Sequence, residues 1–381
     1  MKSVGQRLAE LLRRRLPIRV RVAEMEDGSR RGVRVRRVDE PPYAVDWSRV
    51  ERYDQVNLIF NRIGNDPGWE CYLHTEEEVG LENIGEAKPG YDRVDYALAE
   101  AAWTVHDVWT EAFSWDRLVR PGGPSLMGDA WYRTRYEVDD VAEMTGKLKK
   151  AARFFGASLV GVAEINVNWL YANHRENLEP LELPEGVRYA VVMAVEMDEL
   201  GIATSPEAPA AAATGVGYSM LAFVASSLAE FIRNLGYTAV PASNGVGLSV
   251  PLAVDAGLGE LGRNGLLITP EYGPRVRLCK VYTDLPLAPD KPIEFGVHEF
   301  CRTCKKCAEA CEVEAISFMD EPSYDGVCKS SSPGALKWAI DGEKCYRYWC
   351  ENGTDCSTCI SVCPYNTGRV EVHADEFWAS P

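Results

Sequence analysis

Ten of the twelve cysteines fall between positions 301 and 363, nine of them in two runs whose spacing constrains the chain more than any other feature. The first run, CRTCKKCAEACE, sets Cys301, Cys304, Cys307 and Cys311 in the pattern C-x2-C-x2-C-x3-C. The second, CYRYWCENGTDCSTCISVCPYN, holds Cys345, Cys350, Cys356, Cys359 and Cys363 and ends C-x2-C-x3-C-P. In paired runs of this kind three closely spaced thiolates wrap one cubane iron–sulfur cluster and the fourth crosses to a second. Cys301, Cys304 and Cys307 are therefore expected to share a 4Fe-4S cluster with Cys363. Cys311 is expected to join Cys356, Cys359 and one upstream cysteine, either Cys345 or Cys350. Cys345 is preferred because more chain separates it from its partners, and Cys350 stays open. Glu312 stands after Cys311 where proline is usual. That proline shapes a turn and ligates nothing, so Cys311 is kept as a ligand.

Zinc and disulfides explain the pattern less well. Structural zinc prefers two separated pairs that close a tetrahedron. Disulfides need an oxidising compartment, and cysteines this dense are poor bridging partners. Cys71, Cys279 and Cys328 stand apart and read as unliganded packing residues.

A chain of 381 residues has room for two domains or for one with an appendage. Its formal charge of −16 argues against a nucleic-acid or anionic-membrane partner. No run of about eighteen apolar residues encodes a membrane span. The start, MKSVGQRLAELLRRRLPIRVRV, carries Arg13 to Arg15 without an apolar stretch or cleavage site behind them. Neither a Sec nor a twin-arginine signal is legible, and the expected compartment is the cytoplasm.

A short basic helix is expected over 4–15 and a small hairpin over 17–37. Residues 41–73 read as irregular and aromatic-rich. Apolar spacing predicts a helix over 92–113, followed by the Pro121–Pro124 break. Trp103, Trp109, Trp115 and Trp131 each read as core alone; together they are candidates to line an apolar pocket. From Asp139 the texture turns α/β. Asp139 or Asp140 caps a helix that Gly156 closes. Strands are expected at 158–164 and 187–196, and 200–216 reads as a surface crossover. A helical stripe from Leu221 to Leu235 ends at Gly236, with Tyr218 at its head and Asn244 just past the next strand. Glycines 257, 259, 262 and 265 surround Leu261, Arg263 and Asn264. Neither a P-loop nor a dinucleotide fingerprint fits there, whereas glycines do let backbone approach a large flat ligand. A strand follows at 276–282, and 286–292 is the best linker candidate.

With GLGELGRNGLLITPEYGPRVRL directly before the paired cysteine runs, and Tyr218 and Asn244 upstream, the chain resembles the corrinoid- and iron–sulfur-dependent reductive dehalogenases. It is more distantly similar to epoxyqueuosine reductase. The resemblance covers roughly 139–366. It implies an α/β (α+β), nitroreductase-like corrinoid-binding domain and a C-terminal ferredoxin-like domain with two 4Fe-4S clusters. The implied segments are 1–138, contributing to a substrate pocket or cap, then 139–290 and 291–381. The corrinoid (cobalamin) would be held base-off: D-x-H-x-x-G is lacking, and His74, His106, His174, His298 and His373 are scattered.

The resemblance also implies roles. Tyr218 would be the proton donor, with Asn244 and Arg277 as polar partners. Arg275 competes with Arg277, since residues two apart on a strand face the same way. Gly257, Gly259, Leu261, Gly262, Arg263 and Asn264 would contact the corrinoid. The substrate would be a small organohalide and the electron donor a low-potential ferredoxin or flavodoxin, with no nucleic acid involved. An epoxyqueuosine reductase would bind tRNA, which the acidity disfavours. The short stretch after the second run also leaves no room for a helical-repeat RNA-binding module. A plain iron–sulfur electron carrier would leave the long glycine- and aromatic-rich region ahead of the cysteines without a purpose.

Overall fold

Val/Ala-rich strands build the centre of the molecule. β1 (Leu159–Glu164), β2 (Tyr189–Glu196), β3 (Ala239–Ala242) and β4 (Val276–Thr283) form an antiparallel sheet in the order β1-β2-β4-β3. Glu196 pairs with Val276, and Ala239 and Tyr189 flank Thr283. β3 is an edge strand and so tolerates Pro241, which cannot donate to a ladder. Both faces of the sheet are covered, which is why the strands read as continuous apolar runs without alternation. Val191, Met193, Cys279 and Val281 pack against Leu148, Leu221, Val224 and Leu228 on one side. Val192, Ala194 and Tyr282 pack against Trp169, Leu252 and Tyr43 on the other.

The computed structural model describes residues 32–66, 68, 70–86, 88–113, 135–174, 178–367 and 371–373. The expected helix over 4–15, the first half of the hairpin, the Pro121–Pro124 break, Trp115 and Trp131 lie outside these residues, as do the side chains of Cys71 and Trp109. The described half of the hairpin pairs elsewhere. Gly32–Arg34 runs parallel to Glu371–His373, and Arg36–Arg37 pairs with Ile293–Glu294.

The longer helices are α1 (Glu70–Gly85), α2 (Arg93–Phe113), α3 (Val141–Phe154), α4 (Ala208–Asn234), α5 (Val297–Thr303) and α6 (Gly342–Asn352). Asp140 caps α3 by accepting from Ala142 N and Glu143 N, and Gly156 follows the helix at φ +112°. Two expectations are corrected. The 41–73 stretch is not wholly irregular: it contains a helix over Ile59–Asn65 and the start of α1. The 200–216 stretch is no surface crossover. It forms a short helix over Glu199–Ala203 and then the first turns of α4, with Ala208 and Ala210 to Ala213 buried. Alanine is the best helix former, and proline is tolerated in a first turn, where Pro209 sits. Small residues also let α2 come close, since a Cβ on Gly215 would lie 2.7 Å from the Trp103 ring.

The 286–292 segment is fastened rather than free. Asp290 accepts from Val162 N at 2.8 Å and from Lys149 Nζ at 2.5 Å, and its own N–H donates to Val162 O. Beyond it α5, a short helix at Lys306–Glu309, α6 and another at Thr358–Ser361 carry most of the clustered cysteines.

The glycine-rich segment folds as a tight two-strand turn, Glu260–Leu261 against Leu267–Ile268. A Cβ on Gly259 would stand 2.1 Å from Ile268 O. Gly259→Ala is therefore expected to destabilise the fold by roughly 1–3 kcal/mol, as overpacking does. A denaturant midpoint within error of the parent would contradict this.

Candidate active site and cluster ligands

A cavity of about 920 Å³ opens between α1, α2, α4, the loop after β3, β4 and the C-terminal end of α6. Three polar residues from separate elements meet on its wall. Asn244 Nδ2 donates to the Tyr218 hydroxyl at 3.1 Å. The Arg277 guanidinium lies 5.1 Å from the Tyr218 ring centre, and its Nη2 donates to Thr214 Oγ1 at 3.1 Å. Gly217 makes room for it, since a Cβ there would stand 2.9 Å from Arg277 Cγ. Tyr218 sits well inside α4 rather than at its head, because the alanine tract extends the helix upstream. Its ring stacks on Trp103 at 5.1 Å and meets His106 edge-on at 5.3 Å.

Arg275, the competitor of Arg277, is occupied elsewhere. It pairs with Glu196 at 2.6 Å and donates to Asn366 Oδ1 at 2.8 Å, tying the sheet to the cysteine-rich segment.

Two further residues shape the site without having shown themselves in the sequence. Asp355 lines the cavity directly before Cys356. Burial pushes its carboxyl up to about 6, against the pull of Arg277. Lys280, fully buried, donates to Ser243 O at 2.6 Å, Gly247 O at 3.1 Å and Ser249 Oγ at 2.8 Å. It holds the loop that presents Asn244, in which Val246 adopts φ +67°. Burial lowers Lys280 to about 7. Its place in an apolar strand reads as an interruption, and only the fold turns it into a staple.

The cavity suits a large cofactor. Its volume is near the top of the range for ligand sites. Phe60, Leu81, Ile84 and Trp103 supply apolar wall. Ser243 Oγ, Arg277 Nε and Asp355 Oδ1 line it, buried and without a hydrogen-bond partner. Buried polar atoms are rarely left so, and these three suit a ligand with polar edges.

Gly257, Gly259, Leu261, Gly262, Arg263 and Asn264 do not line this cavity. Gly257 and Gly259 pack against the carbonyls of Lys291 and Ile268. Glu260, directly after Gly259, accepts from Phe295 N and Val297 N at the start of α5. Arg263 and Asn264 reach the carbonyls of Cys301 and Cys359. The segment thus braces the cysteine-rich part. Glycine spacing shows where backbone comes close, not what it comes close to.

The clustered cysteines lie close enough to sense one another. The Cys363 thiol, raised by burial, also senses Cys301 and Cys307, and Cys301 senses Cys304 and Cys307. Burial first, then Cys356 and Cys311, push Cys345 up to about 12. Cys359, raised by burial, senses Cys345, Cys356 and Cys311 as well, and also Cys307 of the other expected tetrad. Cys350 is fully buried with Ile63 and Tyr346 in a small apolar cluster. Among the described residues no three His, Cys, Asp or Glu side chains close on a single-ion position. The tetrads are read as corners of a cube from their spacing and mutual proximity.

Comparison with known proteins supports an iron–sulfur segment here. The 4Fe-4S dicluster domain family matches residues 300–367. The chain is 36% identical to the tetrachloroethene reductive dehalogenase of Sulfurospirillum multivorans, over 87% of this chain and 76% of that protein.

The chain belongs to the reductive dehalogenase family.

Another family member, the tetrachloroethene reductive dehalogenase of Desulfitobacterium hafniense, is 42% identical over 61% of this chain and 50% of its own length. A solved B12-dependent reductive dehalogenase superposes with a TM-score of 0.69 at 26% identity, covering 88% of this chain and 45% of that one. The chain thus spans from under half to three quarters of the length of these relatives. The epoxyqueuosine reductase of Lactococcus garvieae is more distant, 28% identical over 38% of this chain and 39% of that protein.

Proposed function

We propose that this member of the family removes halide from a small organohalide, using a corrinoid in the 920 Å³ cavity and two 4Fe-4S clusters. One observation carries the reading. Tyr218, Asn244 and Arg277 meet on a cavity whose wall also includes Asp355, the residue before Cys356. A proton donor and the polypeptide of an electron relay thus border one chamber. When bound, a corrinoid would supply the reducing cobalt that parts carbon from halogen, fed one electron at a time through the clusters.

The chain's own residues do the rest. The carbon that loses halide must take up a proton, and the Tyr218 O–H is placed to give it. The charge left on the phenol oxygen falls beside the Asn244 N–H and near the Arg277 guanidinium. Trp103 and His106 hold the phenol ring, so its hydroxyl keeps one direction. Ser243 and Asp355 would meet polar edges of the corrinoid, and the apolar wall excludes water from the developing charge. A low-potential ferredoxin or flavodoxin fits as the donor.

The test is anaerobic reconstitution with iron, sulfide and cobalamin, followed by gel filtration. Corrinoid absorption is expected to stay with the protein, and halide release from tetrachloroethene or a brominated phenol is expected with a strong reductant. Protein carrying both clusters that retains no corrinoid would leave an electron carrier instead. Corrinoid retention without halide release, together with reduction of an epoxyqueuosine stem-loop, would favour the distant relative.

A further inference from the structure

Arg263 is 1% exposed, an extreme position for a permanent cation. Its Nε and Nη2 donate to Cys301 O at 3.0 and 2.7 Å, and Nη1 to Ser317 O and Met319 O at 2.6 and 2.8 Å. A longer bond reaches Arg302 O, and the guanidinium lies over the Trp338 ring at 4.5 Å. Every hydrogen-bond acceptor is a carbonyl, and none is a carboxylate. A cation buried this way calls for negative charge nearby. Two of its N–H groups meet the carbonyl of Cys301, a member of the first tetrad, while Asp320, the carboxylate that senses it, is exposed and paired with Lys305 at 2.6 Å.

The second tetrad is surrounded differently. Asn264, the residue after Arg263, sends only a neutral amide to Cys359 O at 3.3 Å. Arg277, the cation on the cavity side, has its guanidinium by the Tyr218 ring and donates to Thr214 Oγ1. One short segment therefore gives the two tetrads unequal electrostatic surroundings.

We propose that Arg263 raises the reduction potential of the cluster held by Cys301, Cys304, Cys307 and Cys363 above that of the cluster held by Cys311, Cys345, Cys356 and Cys359. This rests on the reading that both tetrads hold 4Fe-4S clusters. Each reduction adds one electron, and so one negative charge, to a cluster already ringed by thiolates. A fixed cation in a low-dielectric surround favours the more negative state, and local charge and hydrogen bonding are the levers that tune such clusters. An electron taken from a low-potential one-electron donor then rests on the cluster away from the cavity. It passes to the cavity-side cluster, whose ligand Cys356 follows Asp355, only when it is consumed.

The test is a redox titration by electron paramagnetic resonance on the full chain, reconstituted with iron and sulfide and without corrinoid. Two midpoints are expected, and Cys304→Ser is expected to alter the higher-potential signal. Arg263→Met should lower that midpoint by about 59 mV or more, a tenfold loss in the one-electron equilibrium constant, and leave the other in place. Arg263→Lys, which keeps the charge and loses the fork, should restore most of the difference. An unchanged midpoint in Arg263→Met, an equal shift of both clusters, or a Cys304→Ser effect on the lower-potential signal would each overturn the proposal. Should Arg263→Met fail to hold its iron, the Cys304→Ser assignment and Arg263→Lys decide. Iron for fewer than two clusters in the unaltered chain would sink the cluster reading, and the role of Arg263 with it.

Discussion

Tyr218→Phe is expected to cut halide release by about 10²–10⁴-fold, the worth of a positioned acid, while both clusters and the corrinoid stay bound. The change removes one oxygen and leaves the ring in its stack on Trp103. The fold loses only the bond from Asn244 Nδ2, which faces the open cavity and can turn to water. Thermal stability should therefore hardly move. A tyrosine that merely fills space would behave in the opposite way, with stability falling and turnover holding. Slower turnover with unaltered iron content and unaltered corrinoid absorption identifies the donor. Turnover equal to the parent's, at every pH tried, would remove Tyr218 from the chemistry.

Cys345→Ser and Cys350→Ser should differ sharply, though both residues lie on α6. At 3.6 residues per turn, positions five apart point about 140° away from each other, so one helix cannot aim both at the same cluster. Cys345 senses Cys356 and Cys311, whereas Cys350 is packed beside Ile63 and Tyr346. Cys345→Ser is expected to lose or degrade the cavity-side cluster, with iron falling toward half and one of two paramagnetic signals missing. Cys350→Ser should keep both clusters. It should cost about 1–3 kcal/mol of stability for a hydroxyl placed among apolar side chains. Iron analysis and denaturant midpoints on the two variants would separate these outcomes. The reverse pattern would make Cys350 the ligand.

The helices and strands from Asp140 to Thr283 could be read closely because their signals are local. Asp140 and Gly156 bracket α3, and the Val/Ala runs of β1 and β2 are strands buried on both faces. The alanine tract at the start of α4 misled because low side-chain bulk resembles a loop, while in the fold it is the surface that admits Trp103. α1 was missed because its acidic, weakly patterned sequence has no apolar face to announce it. Its Leu81 and Ile84 nevertheless line the cavity.

By itself the sequence determined which thiols are candidates to share an iron cube, since two- and three-residue spacings limit reach and direction within a single turn of chain. It also determined the family, because those spacings occur beside GLGELGRNGLLITP. Only the tertiary structure decided what that glycine-rich segment does. Arg263 and Asn264 could have faced a flat cofactor or the cysteine-rich segment, and nothing local distinguishes the two. The fold turned them onto the carbonyls of Cys301 and Cys359. It likewise brought Tyr218, Asn244 and Arg277, from a helix, a loop and a strand, to one wall. Local spacing fixes what neighbours along the chain can do, whereas the meeting of distant residues depends on how helices and sheet pack.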